Sequence, residues 1–162
     1  MRNFFSALIA VCLLTSCSTT TYYISRHAEK ASPGMGGSSD VPLTEQGTQR
    51  AAALAQLLKN KKLVQVWATP FIRTQATAKP AATMHNLPVR TYAASNTAVL
   101  DSVRNVKNGA VLIVGHSNTV DDLVNGLLNK KQLQDLPDEQ YGDLFIVQKR
   151  GNKLSFSQQK IQ

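Results

Sequence analysis

The sequence predicts an α/β domain, a three-layer α/β/α sandwich around a mostly parallel central sheet. Three observations predict it. Short apolar runs of strand length alternate along the chain with segments of helical periodicity. The run "AVLIVG" (110–115) is apolar without interruption, as a strand covered on both faces of a parallel sheet has to be. Finally, 162 residues with 43% hydrophobic content suit one domain with one core, and there are no repeats or low-complexity tracts.

The elements follow in order. A first strand covers about Thr21 to Ser25, and "ASPGMGGSSD" (31–40) then reads as a Gly/Ser/Pro loop, long enough for a flap or rim. A helix follows in "PLTEQGTQRAAALAQLLKNKK", with Thr44 as its N-cap and Ala51, Leu54, Ala55 and Leu58 spaced at i, i+3, i+4, i+7. "LVQVWAT" is a second strand, ending at Thr69-Pro70, which reads as a cap followed by proline at the first helical position. The next helix carries Arg73 early, and Pro80 is expected to kink or interrupt it. "PVRTY" gives a short third strand, and a helix is expected near Asn96 to Val106, with Val99, Val103 and Val106 on one face. After "AVLIVG", Val120, Leu123, Val124 and Leu127 mark another amphipathic helix. "DLFIVQK" and "KLSFSQQ" form a terminal hairpin across Arg150-Gly151-Asn152.

The first residues read as a targeting segment. Arg2 precedes the apolar stretch "FFSALIAVCLL", which is too short for a mature transmembrane helix, and "LTSC" (14–17) follows. That tetrapeptide resembles the lipobox of bacterial lipoproteins, which implies lipidation at Cys17. The division is then a signal over 1–16, a tether over 17–20 and the domain over 21–162. An ordinary secretory signal, or a buried N-terminal helix, is the alternative. The only cysteines are Cys12 and Cys17, so on the lipoprotein reading the domain has no thiol and is stabilised by its core alone. The expected location is the bacterial cell envelope, lipid-anchored at a membrane on its periplasmic or extracytoplasmic face.

The formal charge of +8 admits anionic partners. Lys59, Lys61, Lys62, Lys130 and Lys131 follow helical patterns, where cations oppose the macrodipole and stay solvated. No aromatic residues interleave with them, so a nucleic-acid platform is not expected. A weak attraction to anionic lipid or saccharide surfaces is compatible with the same residues.

The chemistry is expected where strands end. In an open α/β sheet, ligands bind outside the carboxyl ends of the strands. Arg26 and His27 leave the first strand, Arg73 follows the second, and His116 follows "AVLIVG". Two guanidiniums match phosphate oxygens, helix N-termini after Thr69 and near Asn118 add positive potential, and no metal is required. A neutral histidine in such a pocket can attack phosphorus, while a second, protonated, steadies the equatorial oxygens.

The segments "RHAEK" (26–30), "PLTEQG" (42–47), "ATPFIRTQATA" (68–78) and "VGHSN" (114–118) together resemble the histidine phosphatase superfamily, the phosphoglycerate-mutase-like fold, over about residues 21 to 150. The chain's compactness is closer to the short phosphohistidine-phosphatase-like branch than to the mutases. The resemblance implies that His27 is the nucleophile of a phosphatase acting through a phosphohistidine. It places Arg26, Arg73 and His116 in the phosphate pocket, with no cofactor. The expected partner is a phosphorylated small molecule or envelope component.

The sequence departs from the family pattern at two points. Alanine replaces the commoner glycine after Arg-His, and "RTYAASNTAV" lacks the acidic proton donor. Glu29 is then the candidate donor nearest the chemistry, ahead of Asp101, Asp121 and Asp122. Three other readings compete: a non-catalytic phosphoryl-ligand-binding lipoprotein of the same fold, a metal site built from His27, His85 and His116, and a mutase, which export away from glycolysis disfavours.

Overall fold

The computed structural model describes residues 18–32, 39–94 and 98–162. The order is β1 (Thr19–Arg26), α1 (Glu45–Leu58), β2 (Leu63–Ala68), α2 (Ile72–Met84), β3 (Val89–Thr91), α3 (Val99–Arg104), β4 (Gly109–Gly115), α4 (Val120–Leu128), β5 (Asp143–Arg150) and β6 (Lys153–Lys160). The six strands form one sheet in the order β3-β2-β4-β1-β5-β6. The β2–β3, β2–β4 and β1–β4 pairs are parallel, and β5 joins β1 and β6 antiparallel. The expected sandwich with a mostly parallel sheet is the observed fold.

Each face of the sheet has its own core. Tyr22, Ile24, Val111, Ile113, Phe145 and Val147 point to α3 and α4, and meet Val103, Leu123, Val124 and Leu127. Their neighbours in the strands, Tyr23, Leu112, Val114 and Leu144, point the other way onto Leu54, Leu58, Ala78 and Ala81 of α1 and α2. Strand alternation thus divides one apolar run between two layers, which is why β4 is buried at every position. The hairpin's outer strand β6 is mostly exposed and closes the sheet edge.

Three local expectations differ from the structure. The α2 helix continues through Pro80 from Ile72 to Met84 without interruption. Proline removes one intrahelical bond, but the packing of Ala78, Ala81 and Ala82 against the sheet holds the helix together across it. Nor does Thr69 cap α2, because the N-cap is Phe71 and makes no side-chain bond. Asp40 arrives from the preceding loop to accept from the Ile72 N–H at 2.8 Å, leaving the Thr69 hydroxyl for another task. The next helix is also shorter than expected, Val99–Arg104, and the anticipated start at Asn96 lies outside the described residues.

Candidate active site

β1 and β4 end level with one another. Arg26 stands opposite Gly115, and the His27 N–H donates to the Gly115 carbonyl at 2.9 Å. Arg26-His27 and His116 therefore leave adjacent strands at the same height, and the His27 and His116 rings meet edge to face with centroids 5.5 Å apart. β2 lies on the other side of β4, and Arg73, the second residue of α2, completes the group. Arg26, His27, Arg73 and His116 all line one cleft of about 400 Å3, as do Lys30, Phe71 and Asp138. The four residues expected to gather do gather.

Arg26 is nearly buried, and its Nη1 donates to the carbonyls of Pro137, Asp138 and Gln140 at 2.9–3.0 Å. Its guanidinium also lies over the Tyr141 ring, 4.2 Å from the centroid. Nη1 is thus committed to backbone, and Nη2 lies 3.4 Å from the Tyr141 hydroxyl. Nε is buried and has no partner among the described residues. Arg73 shows the same pattern. Nη1 lies 3.3 Å from the Ser39 carbonyl and 3.6 Å from the Asp40 carboxylate, Nη2 lies 3.4 Å from His116, and Nε is buried without a partner. Two guanidiniums thus line one cleft, each with a buried N–H that has no partner among the described residues, and forked donors of this kind match oxyanions.

The histidines are both neutral. His27 Nδ1 is 2.8 Å from the Ala28 carbonyl, which can only accept, so the proton sits on Nδ1 and Nε2 carries the lone pair. Burial pushes its pKa from 6.5 to about 3; the Ala28 bond opposes the shift, and the charges of Arg26 and Arg73 add to it. His116 was expected to be protonated. Instead Arg73, which can only donate, faces Nδ1, and Nε2 turns its proton to the Thr69 hydroxyl at 2.9 Å. Burial, then Arg73 and Arg26, lower its pKa to about 4. A cation beside two arginines would be repelled unless an anion joined them.

Glu29 does not suit the role of proton donor. Both its carboxylate oxygens accept from Arg50 Nε at 2.9 Å, and Oε1 also takes Arg50 Nη2 at 2.5 Å. Burial alone would raise its pKa, but the Arg50 bonds and charge outweigh this and hold it below the ordinary value. The pair braces the Arg-His loop against α1. Thr44 donates its N–H to the Glu29 carbonyl at 2.9 Å while its hydroxyl caps the helix at Gly47. A side chain at Gly47 would collide with that same carbonyl, so this glycine is required by close approach. Ala28 is braced from the other side, its N–H reaching Thr77 of α2 at 3.0 Å.

The other acids divide clearly. Asp101 is exposed beside Arg104, and Asp121 is buried on α4, where burial raises its pKa. Among the residues lining the cleft, Asp138 is the one carboxylate, 3.5 Å from the Ser117 hydroxyl and 3.8 Å from Arg26 Nη2. Sequence reasoning missed it, together with Tyr141 and Thr69. All three lie in loops, far from the histidines in sequence, and carry no periodic signal. His85 donates to or accepts from nothing in the cleft. Its Nε2 meets the Leu58 carbonyl at 3.0 Å, between α1 and α2, so the three-histidine metal site does not form. No group of three His, Cys, Asp or Glu side chains placed to hold a metal occurs among the described residues. Cys17 lies outside the described residues.

The depressed histidine values carry a pH dependence with a definite sign. Below pH 6.5 the unfolded chain takes up protons that folded His27 and His116 refuse. Their contribution to stability is therefore complete above that pH and is lost as pH falls toward about 4 for His116 and about 3 for His27. Urea midpoints measured across this window should fall, and the fall should be shallower in His27→Ala. Equal slopes in the two proteins would show that His27 is not desolvated in the folded state.

The comparisons agree with this geometry. The family model of the histidine phosphatase superfamily (branch 1) matches residues 22–96, the segment that carries the Arg-His pair and Arg73. No curated protein matches in sequence. Among solved structures, the chain is similar to the protein histidine phosphatase SixA complexed with tungstate. The TM-score is 0.67 at 20% identity, covering 86% of this chain and 96% of that one. It is also similar to YhfR of Bacillus stearothermophilus (TM-score 0.66, 18% identity, 85% and 95% covered). A third is the phosphoserine phosphatase of Entamoeba histolytica in complex with 3-phosphoglyceric acid (TM-score 0.64, 16% identity, 88% and 98% covered). The family segment, the sheet order and the gathered Arg-His cleft agree with one another, and residues 22–96, just under half of the chain, match the histidine phosphatase superfamily (branch 1).

Proposed function

We propose that the protein is a metal-independent phosphatase that hydrolyses a phosphomonoester or phosphoramidate through a phosphohistidine on His27. One observation carries this reading. The 2.8 Å bond from Nδ1 to the Ala28 carbonyl fixes the tautomer that leaves an Nε2 lone pair, beside two arginines with unpartnered Nε groups. Nucleophile and electrophilic clamp thus occur in one desolvated cleft.

The steps balance as follows. Nε2 attacks phosphorus and the Nε2–P bond forms, while the bond to the leaving oxygen or nitrogen breaks, its electron pair going to the leaving atom, which takes its proton from solvent. Arg26 and Arg73 grip the phosphoryl oxygens and supply the charge that a metal would otherwise provide. As an anion enters, it offsets the repulsion that keeps His116 neutral, so His116 can then hold a proton against a phosphoryl oxygen. Water next attacks phosphorus, its proton leaves to solvent, and inorganic phosphate departs with His27 restored.

The same geometry bears on substrate class. With Glu29 bound to Arg50, Asp138 is the one carboxylate in the cleft lining, and it sits on an exposed rim. Such a cleft suits substrates whose leaving groups need little help from an acid, phosphoramidates and aryl phosphates among them. A non-catalytic phosphoryl-ligand-binding role would keep both arginines but has no use for a fixed His27 tautomer. We further propose that the protein acts in the bacterial cell envelope, lipid-anchored through Cys17 at a membrane on its periplasmic or extracytoplasmic face.

Three measurements test these statements. His27→Ala should abolish phosphate release while the protein remains folded at pH 8, and rapid quench of the wild type should trap an acid-labile, alkali-stable phosphoenzyme. In the same assay Arg73→Ala should lose about 10²-fold in kcat, unrescued by lysine, which lacks the planar fork. EDTA should have no effect, whereas vanadate should inhibit. Wild-type turnover in His27→Ala would sink the mechanism.

Leaving groups should separate sharply. A positioned acid is worth about 10²–10⁴-fold, so aryl phosphates should exceed alkyl phosphates in kcat/KM by that order. A flat series, with chemistry rate-limiting, would mean that Asp138 or another group protonates the leaving atom.

Palmitate labelling should mark the wild type and disappear in Cys17→Ala, which should move to the soluble fraction. A soluble, unlabelled wild type would remove the anchor from the proposal.

A further inference from the structure

The chain's charge is divided between the two edges of its sheet. The cleft occupies the edge where β1, β2 and β4 end. At the opposite edge lie the start of β1, the connection from α1 to β2, the connection from α3 to β4, and the β5–β6 turn. Strand pairing sets these four segments side by side, with Thr19 opposite Arg150, Thr20 opposite Gly109, Leu63 opposite Ala110 and Arg150 opposite Lys153. The Gly151 N–H reaches the Ser18 carbonyl at 3.2 Å, and the Ala110 N–H reaches the Lys62 carbonyl at 2.8 Å.

Residues 18–21, 59–63, 105–110 and 149–154 together contain seven Lys or Arg and no Asp or Glu. Lys59, Lys61, Lys62, Lys107, Arg150 and Lys153 are all exposed. None of these six is ion-paired among the described residues, whereas Arg26, Arg50, Arg73, Arg104 and Lys160 each face a carboxylate. A helix C-terminus accounts for the lysines after α1. It does not account for Lys107, just before a strand, or for Arg150 and Lys153, which flank a hairpin turn. Their shared property is their edge.

The same edge is where the chain enters the fold. The apolar stretch "FFSALIAVCLL" ends at Leu14, four residues before Ser18. Four extended residues span at most about 14 Å, so an apolar segment held in a bilayer, or a lipid on Cys17, brings this edge close to the headgroups. So short a tether lets the edge approach to within the roughly 8 Å over which charges act at physiological salt. We propose that this basic edge docks on an anionic phospholipid surface and directs the cleft away from the bilayer. The proposal rests on charge placement, on topology and on the proposed N-terminal membrane attachment, and is independent of the catalytic reading.

Sedimentation of the full chain with phosphatidylcholine vesicles, with and without about 30 mol% phosphatidylglycerol, tests it. Each neutralised basic residue should cost about fivefold in partitioning, so Lys62→Gln/Arg150→Gln should weaken binding to the anionic vesicles about 25-fold. The same pair should leave binding to neutral vesicles unchanged. The control Lys79→Gln/Arg90→Gln removes equal charge elsewhere and should stay within about twofold of wild type. Hydrogen exchange on the anionic vesicles should show protection over 59–63, 105–110 and 149–154, with none over 26–30 or 116–118. Equal losses in the two double variants would reduce the effect to net charge and overturn the docking edge. Protection over the cleft would overturn the orientation. Tighter binding to heparin than to the anionic vesicles, lost in Lys62→Gln/Arg150→Gln, would assign the edge to an acidic saccharide and overturn the lipid.

Discussion

The register between β1 and β4 is the constraint on which the site depends. Because the two strands are parallel neighbours and Arg26 falls opposite Gly115, the chain leaves both at one level, and the His27 N–H closes onto the Gly115 carbonyl. A slip of one residue would turn Tyr22 and Ile24 out of one core and Tyr23 out of the other, so both layers enforce the register. The placement of His27 beside His116 is therefore secured by buried apolar side chains that take no part in chemistry.

Gathering two arginines and two histidines out of water creates a repulsion that the fold manages by two devices. One is to satisfy each guanidinium with oxygen atoms that carry no full negative charge. Three backbone carbonyls hold Arg26, and Ser39 offers a fourth to Arg73, whose one carboxylate neighbour is Asp40. The cleft keeps positive potential because its cations are fixed largely by dipoles, which leave the charge in place. The other device is to keep both histidines neutral, His27 through burial and its Ala28 bond, His116 between Thr69 and Arg73. Neutrality at His27, with the proton on Nδ1, also leaves a lone pair on Nε2.

Glu29 shows how a charged residue next to a site can serve its geometry. Its carboxylate is consumed by Arg50, and its carbonyl takes the N–H of Thr44, so the Arg-His loop is tied to the start of α1 at two points. Thr77 ties the same loop to α2 through the Ala28 N–H. Together they account for three of the short motifs as one mechanical unit. "RHAEK" presents Arg26 and His27 to the cleft, "PLTEQG" grips their loop from one helix, and "ATPFIRTQATA" supplies both Arg73 and the second grip.

The sequence by itself determined the layered α/β class, because helical and strand periods are written in consecutive residues. It also determined that Arg26, His27, Arg73 and His116 would share an edge, because each lies at or shortly after the end of a recognisable strand. Tertiary structure decided what depended on residues distant in sequence. Glu29 was bound by Arg50, one helix away, and so lost the role its proximity to His27 suggested. Thr69 gave up a local cap to meet His116, 47 residues on. Pro80 stayed inside its helix because packing outweighed the lost bond. Asp138 reached the cleft from a loop with no periodic signal. Hydrogen-bond partners are chosen by geometry across the fold, and spacing along the chain contains no record of them.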